Sequence, residues 1–511
     1  MKHPQPGTSC ERWRMPPRSI AVRLFFTCWI VYSLHLATNI VREIYPALAL
    51  GDHFSFRVDE YANMHPDLYE KPGYGWHIGN NPGASMLAAI PYALARPVID
   101  PVVRKVKERR EASGMTEPPA YESPWPMARE FYEESWRRGF DVKFGMAAFV
   151  MHSFCMVPST AAAVVLMFWV LRAVYRSDRT AMWLALLYAF GTPVFFRTGY
   201  LNHNLMLGHA AFAGFCVMWN PWGLSWPSRR RYFLGGLAGG LTLLFDYSGV
   251  VLLPAMFLYA LIARFRAHGR ADAVRHGFAY FLGTLGPVFL LWFYQWRSFG
   301  HPFYPGQHWM PPVRWIELGY QGYGPPQLEL FGMLLFDYRF GLFTSAPLLL
   351  LAVAVLFVNG GARCRLPRQE KIALLAIPLA FILFFSGSNY VRLQFNTGIR
   401  YLAPLFPFLF LPAAAVLTRL PRGAALTLGV LCVIQSWALA MYRDVEHAYG
   451  LLDPVIRFLL GGPRLPTLHR LSLMEPFQDF FPYGPSPIGL FVVAGAILVI
   501  LWRSSPRTGD S

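Results

Sequence analysis

Apolar runs of membrane-spanning length recur along the chain, separated by short polar stretches. They fall near residues 20–45, 144–172, 180–197, 203–220, 233–263, 278–297, 336–358, 372–388, 401–418, 423–441 and 488–502. A helix crosses the hydrocarbon layer with about 20 apolar residues, so these runs read as transmembrane helices. The pattern predicts an all-α polytopic membrane protein with about 11 to 13 spans.

Charge then orders the path. Arg172, Arg176 and Arg179 form one basic turn, and Arg229, Arg230 and Arg231 a second. Arg264, Arg266, Arg270 and Arg275 form a third, Arg363, Arg365, Arg368 and Lys371 a fourth, and Arg419 and Arg422 a fifth. Arg503 and Arg507 follow the last run. Loops rich in Lys and Arg stay in the cytoplasm. The second and third basic turns flank the single run 233–263, so one simple crossing would put one of them outside. Asp246-Tyr247-Ser248-Gly249 interrupts that run. A hairpin of two short segments meeting at Asp246 returns the chain and keeps every basic turn inside.

On this path residues 1–19 are a cytoplasmic segment before an uncleaved signal anchor. Residues 20–441 form the transmembrane domain, 442–487 an external loop, and 488–511 the last span with a cytoplasmic tail. The first external loop is 46–143, and 298–335 and 389–400 are further external pieces. Within the first, Ala84–Leu94 is too short to span and is expected in the interface, with a second amphipathic helix near Met127–Arg138.

Composition agrees with this architecture. Hydrophobic residues make up 54%, aromatics 16% and charged residues only 15%, so the bundle is its own core. Net charge is 46 − 29 = +17. In a soluble chain that would suggest nucleic acid. Here the basic residues sit in the short turns and no reader motif accompanies them, so nucleic acid is not an expected partner. Cys28, Cys155, Cys216 and Cys432 lie in apolar runs, and Cys10 and Cys364 in basic segments. That distribution argues against a disulfide framework and offers no zinc spacing.

Acidic residues in such a chain face water, pair, or do chemistry. Asp59 and Glu60 open the first external loop. There a carboxylate takes the proton of an attacking hydroxyl or amine, or the adjacent pair holds a divalent cation against a diphosphate. Further on, Gly79-Asn80-Asn81-Pro82-Gly83 lets backbone approach a ligand closely, with Lys71 as a nearby cation. His203 and His209 sit near an outer membrane edge. Arg392 and Arg400 flank the short outer loop Asn389–Arg400, against the positive-inside bias, as a bidentate phosphate partner or a loop-acid ion pair would explain. Asp337 and Arg339 are placed to pair with each other. No phosphate-binding glycine loop and no hydrolase or zinc-protease motif occurs in the sequence. An activated donor would therefore come from the membrane.

An ordered series of landmarks resembles the GT-C membrane glycosyltransferases, in particular bacterial members of the protein-mannosyltransferase and aminoarabinose-transferase superfamily. The series is Asp59-Glu60, Gly79-Asn80-Asn81-Pro82-Gly83, Gly191-Thr192-Pro193, His209-Ala210, Leu234–Asp246, Phe299–Phe303, Phe336–Pro347 and Gly398-Ile399-Arg400-Tyr401-Leu402. It covers roughly residues 20–420. The resemblance implies a polyprenyl-phosphate-linked sugar donor, inverting transfer to a glycan, lipid or protein acceptor, and a site on the non-cytoplasmic face of a bacterial inner membrane. By that analogy Asp59 matches the first-loop catalytic acid, and Arg400 and Lys71 sit near the donor phosphate. From the residues themselves, Glu60 is a second catalytic candidate, Arg392 a further phosphate contact, and Asn80, Asn81, His203, His209 and Asp246 pocket candidates. Asn80-Asn81 stand where that family has a cation. The alternative function is a transporter or flippase for a lipid-linked or amphiphilic substrate, which would need charges deep in several spans. A ligase using a diphosphate-linked donor shares the topology.

Overall fold

The computed structural model is almost entirely helical, and the chain is an all-α polytopic membrane protein. The structure describes residues 16–37, 39–123, 126–311, 319, 322–358, 364–392, 398–442, 450–481 and 484–503. Cys10, the basic residues of the first 15 positions, Arg363 and Arg507 lie outside them.

The run expected at 20–45 is two elements. Helix α1 (Pro17–Leu34) ends early, and α2 (Ile44–His53) follows after a loop. The helix stops because Ala37 N–H donates to Gly199 O at 2.7 Å instead of continuing the ladder. Next comes a hairpin of β1 (Leu68–Lys71) and β2 (Gly75–Ile78), paired antiparallel.

Helix α3 (Gly83–Ala112) runs well beyond the expected interfacial segment, through Pro91, Pro97 and Pro101. It is long and apolar enough to cross a membrane. Both its ends nevertheless contact the same end of the bundle. Gly83 abuts Leu244, and Arg110 grips Asp141, near which Lys143 reaches Asp52 of α2. It therefore lies across that end, as the sequence led us to expect of its first turns. Helix α4 (Pro126–Arg137) matches the expected amphipathic segment.

Then α5 (Asp141–Met151) continues through a π turn at His152–Met156 into α6 (Val157–Tyr175). Pro158 has no N–H for the carbonyl four residues back, and the wider turn absorbs that gap. The next elements are α7 (Asp178–Phe190), α8 (Val194–Thr198), α9 (His203–Trp219), α10 (Ser228–Phe245), α11 (Gly249–His268) and α12 (Arg270–Phe299). The expected hairpin at Asp246 is present, but its arms are full helices of 18 and 20 residues. The arginines assigned to the two flanking turns belong to helix ends: Arg229, Arg230 and Arg231 open α10, Arg264 and Arg266 close α11, and Arg270 and Arg275 open α12. Helices α10 and α12 pack backbone to backbone. A Cβ on Gly236 would strike the Tyr280 carbonyl, and one on Gly283 the Phe233 carbonyl.

The expected run 336–358 is broken into α13 (Leu328–Phe336), α14 (Leu342–Ser345) and a 3-10 stretch at Pro347–Phe357. Asp337 and Arg339 pair at 3.1 Å in the break. Beyond it come α15 (Arg368–Phe385), α16 (Phe406–Leu417) and α17 (Arg422–Met441). The short helices α18 (Leu452–Gly461), α19 (Pro466–Leu471) and α20 (Glu475–Gln478) precede α21 (Ile488–Arg503), which packs on α1 through Trp502 and Thr27. Every residue of α16 is buried, so this helix is the centre of the bundle.

The arginine-rich turns gather at one end. Arg365 N–H donates to Val174 O at 3.0 Å, Tyr175 meets Thr418 at 3.3 Å, and His276 meets Ser228 at 2.8 Å. Helices α6, α9, α10, α11 and α16 run from that end to the opposite one. There α9 and α10 meet α3, with Gly83 against Leu244.

Candidate functional site

At the end away from the arginine turns, four short stretches bring ionisable groups together. The loop before α2 supplies Arg42 and Glu43. The first residue of α9 supplies His203. Asp246 stands at the break between α10 and α11, and Asn80 precedes α3. His203 Nδ1 lies 2.6 Å from Glu43 Oε1, and His203 Nε2 lies 3.4 Å from Asp246 Oδ2. One imidazole thus joins two carboxylates that are far apart in sequence.

Each member is fixed by local structure. Asn202 caps α9 through Leu205 N–H at 3.2 Å, which sets His203 at the helix mouth. Asp246 Oδ1 accepts from Ser248 N–H at 2.9 Å, the short side-chain turn that Asp favours at a helix break. Asn80 Nδ2 donates to Glu43 Oε1 at 3.1 Å, Ser85 Oγ donates to Glu43 O at 2.7 Å, and Asn81 Nδ2 donates to Leu243 O. Gly83 is needed here because a Cβ would sit 2.7 Å from Leu244 O. The Gly-Asn-Asn-Pro-Gly segment therefore clamps the acid and the helix break with its own side chains.

Electrostatics follow from this packing. The Glu43 side chain is only 4% exposed and Asp246 is 19% exposed. Burial alone would raise the Glu43 carboxyl. The opposing pull of His203 and then Arg42 holds it well below the ordinary carboxylate range. Arg42 contacts Glu43 at 3.3 Å and Asp67 at 2.8 Å. Burial likewise works to raise Asp67, and Arg42 more than offsets it, so that carboxyl is also held low. His65 is depressed by burial, and its Nδ1 accepts from Asp67 N–H at 3.0 Å. Five groups thus form one chain: Asp67, Arg42, Glu43, His203 and Asp246. Glu43 at its middle is sealed by partners. Asp246 at one end keeps an accessible carboxylate.

Arg400 stands before α16 and feels the charges of Asp67 and His65. Its guanidinium lies over the Tyr401 ring at 5.3 Å. It makes no carboxylate ion pair among the described residues. Its two preceding carbonyls are gripped by Arg197, a fully buried side chain of α8.

The other sequence candidates lie elsewhere. Asp59 is exposed and pairs with Arg57 at 2.7 Å, and its Oδ1 accepts from Trp76 N–H at 2.7 Å, fastening the β-hairpin. Glu60 lies 3.9 Å from Lys143 and 4.0 Å from His53. Arg392 is held bidentately by Glu329 at 2.7 and 3.0 Å, the loop-acid partner that was the alternative to phosphate. Lys71 lies 3.3 Å over the Trp309 ring. His209 is buried in the bundle and meets Thr160 at 3.2 Å. Of the sequence candidates, the structure brings together Asn80, Asn81, His203 and Asp246, while Arg400 acts on the Asp67 end of the chain of charges.

Glu43 and Arg42 were missed. Their signal was an Arg-Glu pair inside an otherwise apolar run, which marks the end of a span or a buried ion pair. Of the Asp59-Glu60 pair expected to hold a divalent cation, only Glu60 has metal-like spacing with other ligands. The group with metal-like spacing is Asp52, His53 and Glu60, without Asp59. The Lys143 ammonium already stands between its carboxylates, 2.7 Å from Asp52 and 3.9 Å from Glu60.

No family model matches the chain, and no curated protein matches it. Among solved structures, the crystal structure of ArnT from Cupriavidus metallidurans in the apo state is similar. Identity is 12%, over 94% of this chain and 75% of that one, with a TM-score of 0.49.

Proposed function

We propose that the protein is a membrane glycosyltransferase of the GT-C type, moving a sugar from a polyprenyl-phosphate-linked donor to an acceptor on the non-cytoplasmic face. The observation that carries this is the His203 bridge between Glu43 and Asp246, in a chain of charges whose Asp67 end feels Arg400, an arginine with no carboxylate ion pair among the described residues. Ionisable groups set in apolar surroundings with specific charge partners mark functional sites. The arginine turns at the far end favour a cytoplasmic location for that end, which turns the site outward.

In this scheme an acceptor hydroxyl or amine attacks the anomeric carbon of the donor. The new bond to carbon forms as the bond to the phosphate oxygen breaks, so the configuration inverts. Asp246 takes the acceptor proton, and His203, oriented by Glu43, shares it. The lipid phosphate leaves with the bonding pair, and Arg400 offsets its developing charge. A lowered barrier from general-base help is worth roughly a hundredfold to ten-thousandfold in rate. The geometry favours Asp246 over Asp59 as the base, since Asp59 pairs with Arg57 on the exposed hairpin rim.

The test is reconstituted protein given a panel of polyprenyl-phosphate sugars with envelope glycans and lipids as acceptors, scored for released polyprenyl phosphate. Release with at least one sugar is expected. Transport of the intact lipid-linked sugar across the vesicle, with no release, would instead support the flippase alternative.

A further inference from the structure

We propose that Arg197 is the positioning residue that aims Arg400 at the donor phosphate. This rests on the donor-phosphate role given to Arg400 above. Arg197 belongs to α8, a five-residue helix at the mouth of the bundle, and its side chain is 1% exposed. Its guanidinium faces the backbone ahead of Arg400. Nη2 donates to Gly398 O at 2.6 Å, Nε donates to Ile399 O, and Nη1 donates to Tyr200 Oη at 2.9 Å.

The same stretch is held from its other sides. Gly398 N–H donates to Arg339 O at 2.7 Å, and Ile399 N–H donates to Ser345 Oγ at 3.0 Å. Gly398 has φ +87, which leaves no strain-free choice of side chain there. Arg400 thus follows two residues whose main-chain polar groups are each engaged. A planar guanidinium with a fixed fork suits two adjacent carbonyls in a way a lysine cannot. The main chain of Arg197 also accepts from Asn202 Nδ2 at 3.3 Å, and Asn202 is the cap that presents His203. One residue therefore joins the phosphate-facing side of the site to the proton-transfer side.

Misplacing a binding group by about 1 Å costs on the order of a hundredfold in a preorganised site. The experiment measures affinity of the purified full-length protein for farnesyl phosphate and for farnesol, in wild type, Arg400→Ala, Arg197→Lys and Tyr200→Phe. The readout is the ratio of the two affinities, which a merely structural loss lowers for neither ligand selectively. Tyr200→Phe guards against a folding failure of the Arg197 variant, since it removes one hydroxyl and keeps the ring. The expected result is a loss of phosphate preference of about tenfold or more in Arg400→Ala and Arg197→Lys, and about threefold in Tyr200→Phe. If Arg400→Ala loses the preference while Arg197→Lys and Tyr200→Phe keep it, the positioning role is overturned and the donor site stands. If Arg400→Ala also keeps it, the donor-phosphate assignment fails and the positioning role with it.

Discussion

His203 presents one ring nitrogen to Glu43 at 2.6 Å and the other toward Asp246 at 3.4 Å. The two carboxylates differ in access: Glu43 is enclosed by Arg42, Asn80 and His203, whereas Asp246 stays partly open. An oriented imidazole between a sealed acid and an open one is an arrangement for moving a proton.

Replacing His203 by Gln keeps a polar side chain but removes the ring that links the two acids. Turnover is expected to fall by about a hundredfold or more, with donor binding within threefold of wild type. Single-turnover assays with a measured donor affinity check this. Equal losses in both quantities would assign His203 to binding.

Asn80 gives Glu43 a hydrogen bond in a buried setting. Asn80→Ala leaves that carboxylate short of a donor, at a cost of about 1–3 kcal/mol. Thermal unfolding in detergent is expected to show a clearly lowered Tm. An unchanged Tm would mean that Arg42 and His203 alone satisfy Glu43.

The pH dependence follows from Glu43 and Asp67. Both carboxyls are held below their unfolded values, so their stabilisation is complete above about pH 4.5 and is lost as the pH falls through the folded values. His65 adds in the same direction. Its folded value is depressed, so unfolding gains a proton below about pH 6.5 and stability falls there too. Stability is therefore expected to decline from about pH 6.5 downward, steepening below about 4.5. In Glu43→Gln the steep limb should be shallower. A wild-type profile flat from pH 7 to 4 would contradict the assignment of these groups.

Much of this fold was legible from period and charge. The apolar run at 203–220 became a helix at His203–Trp219, and that at 423–441 one at Arg422–Met441. Counting basic turns exposed the break at Asp246, because two turns on one side demand an even number of crossings. The site was only partly legible. His203 and Arg400 were singled out as polar groups at an expected outer membrane edge, Asn80 and Asn81 in a glycine-rich loop segment, and Asp246 at the break inside the run 233–263. Glu43 was hidden inside an apolar run that the chain ends early, when Ala37 bonds to Gly199. Asp59 drew attention as an acid just after the first span, but its partner Arg57 and its hydrogen bond to Trp76 depend on how the hairpin folds back. Arg392 depends on Glu329, 63 residues away, a pairing no local pattern reveals.

The central claim is that Asp246, backed by His203 and Glu43, serves the transfer of a sugar from lipid phosphate. The most direct measurement is release of polyprenyl phosphate from a polyprenyl-phosphate sugar by the reconstituted protein, comparing wild type with Asp246→Asn and Asp59→Asn. The expected result is a loss of about a hundredfold or more in Asp246→Asn, with Asp59→Asn within about threefold of wild type. Full release by Asp246→Asn, with loss in Asp59→Asn, would contradict the account and return the chemistry to the hairpin rim.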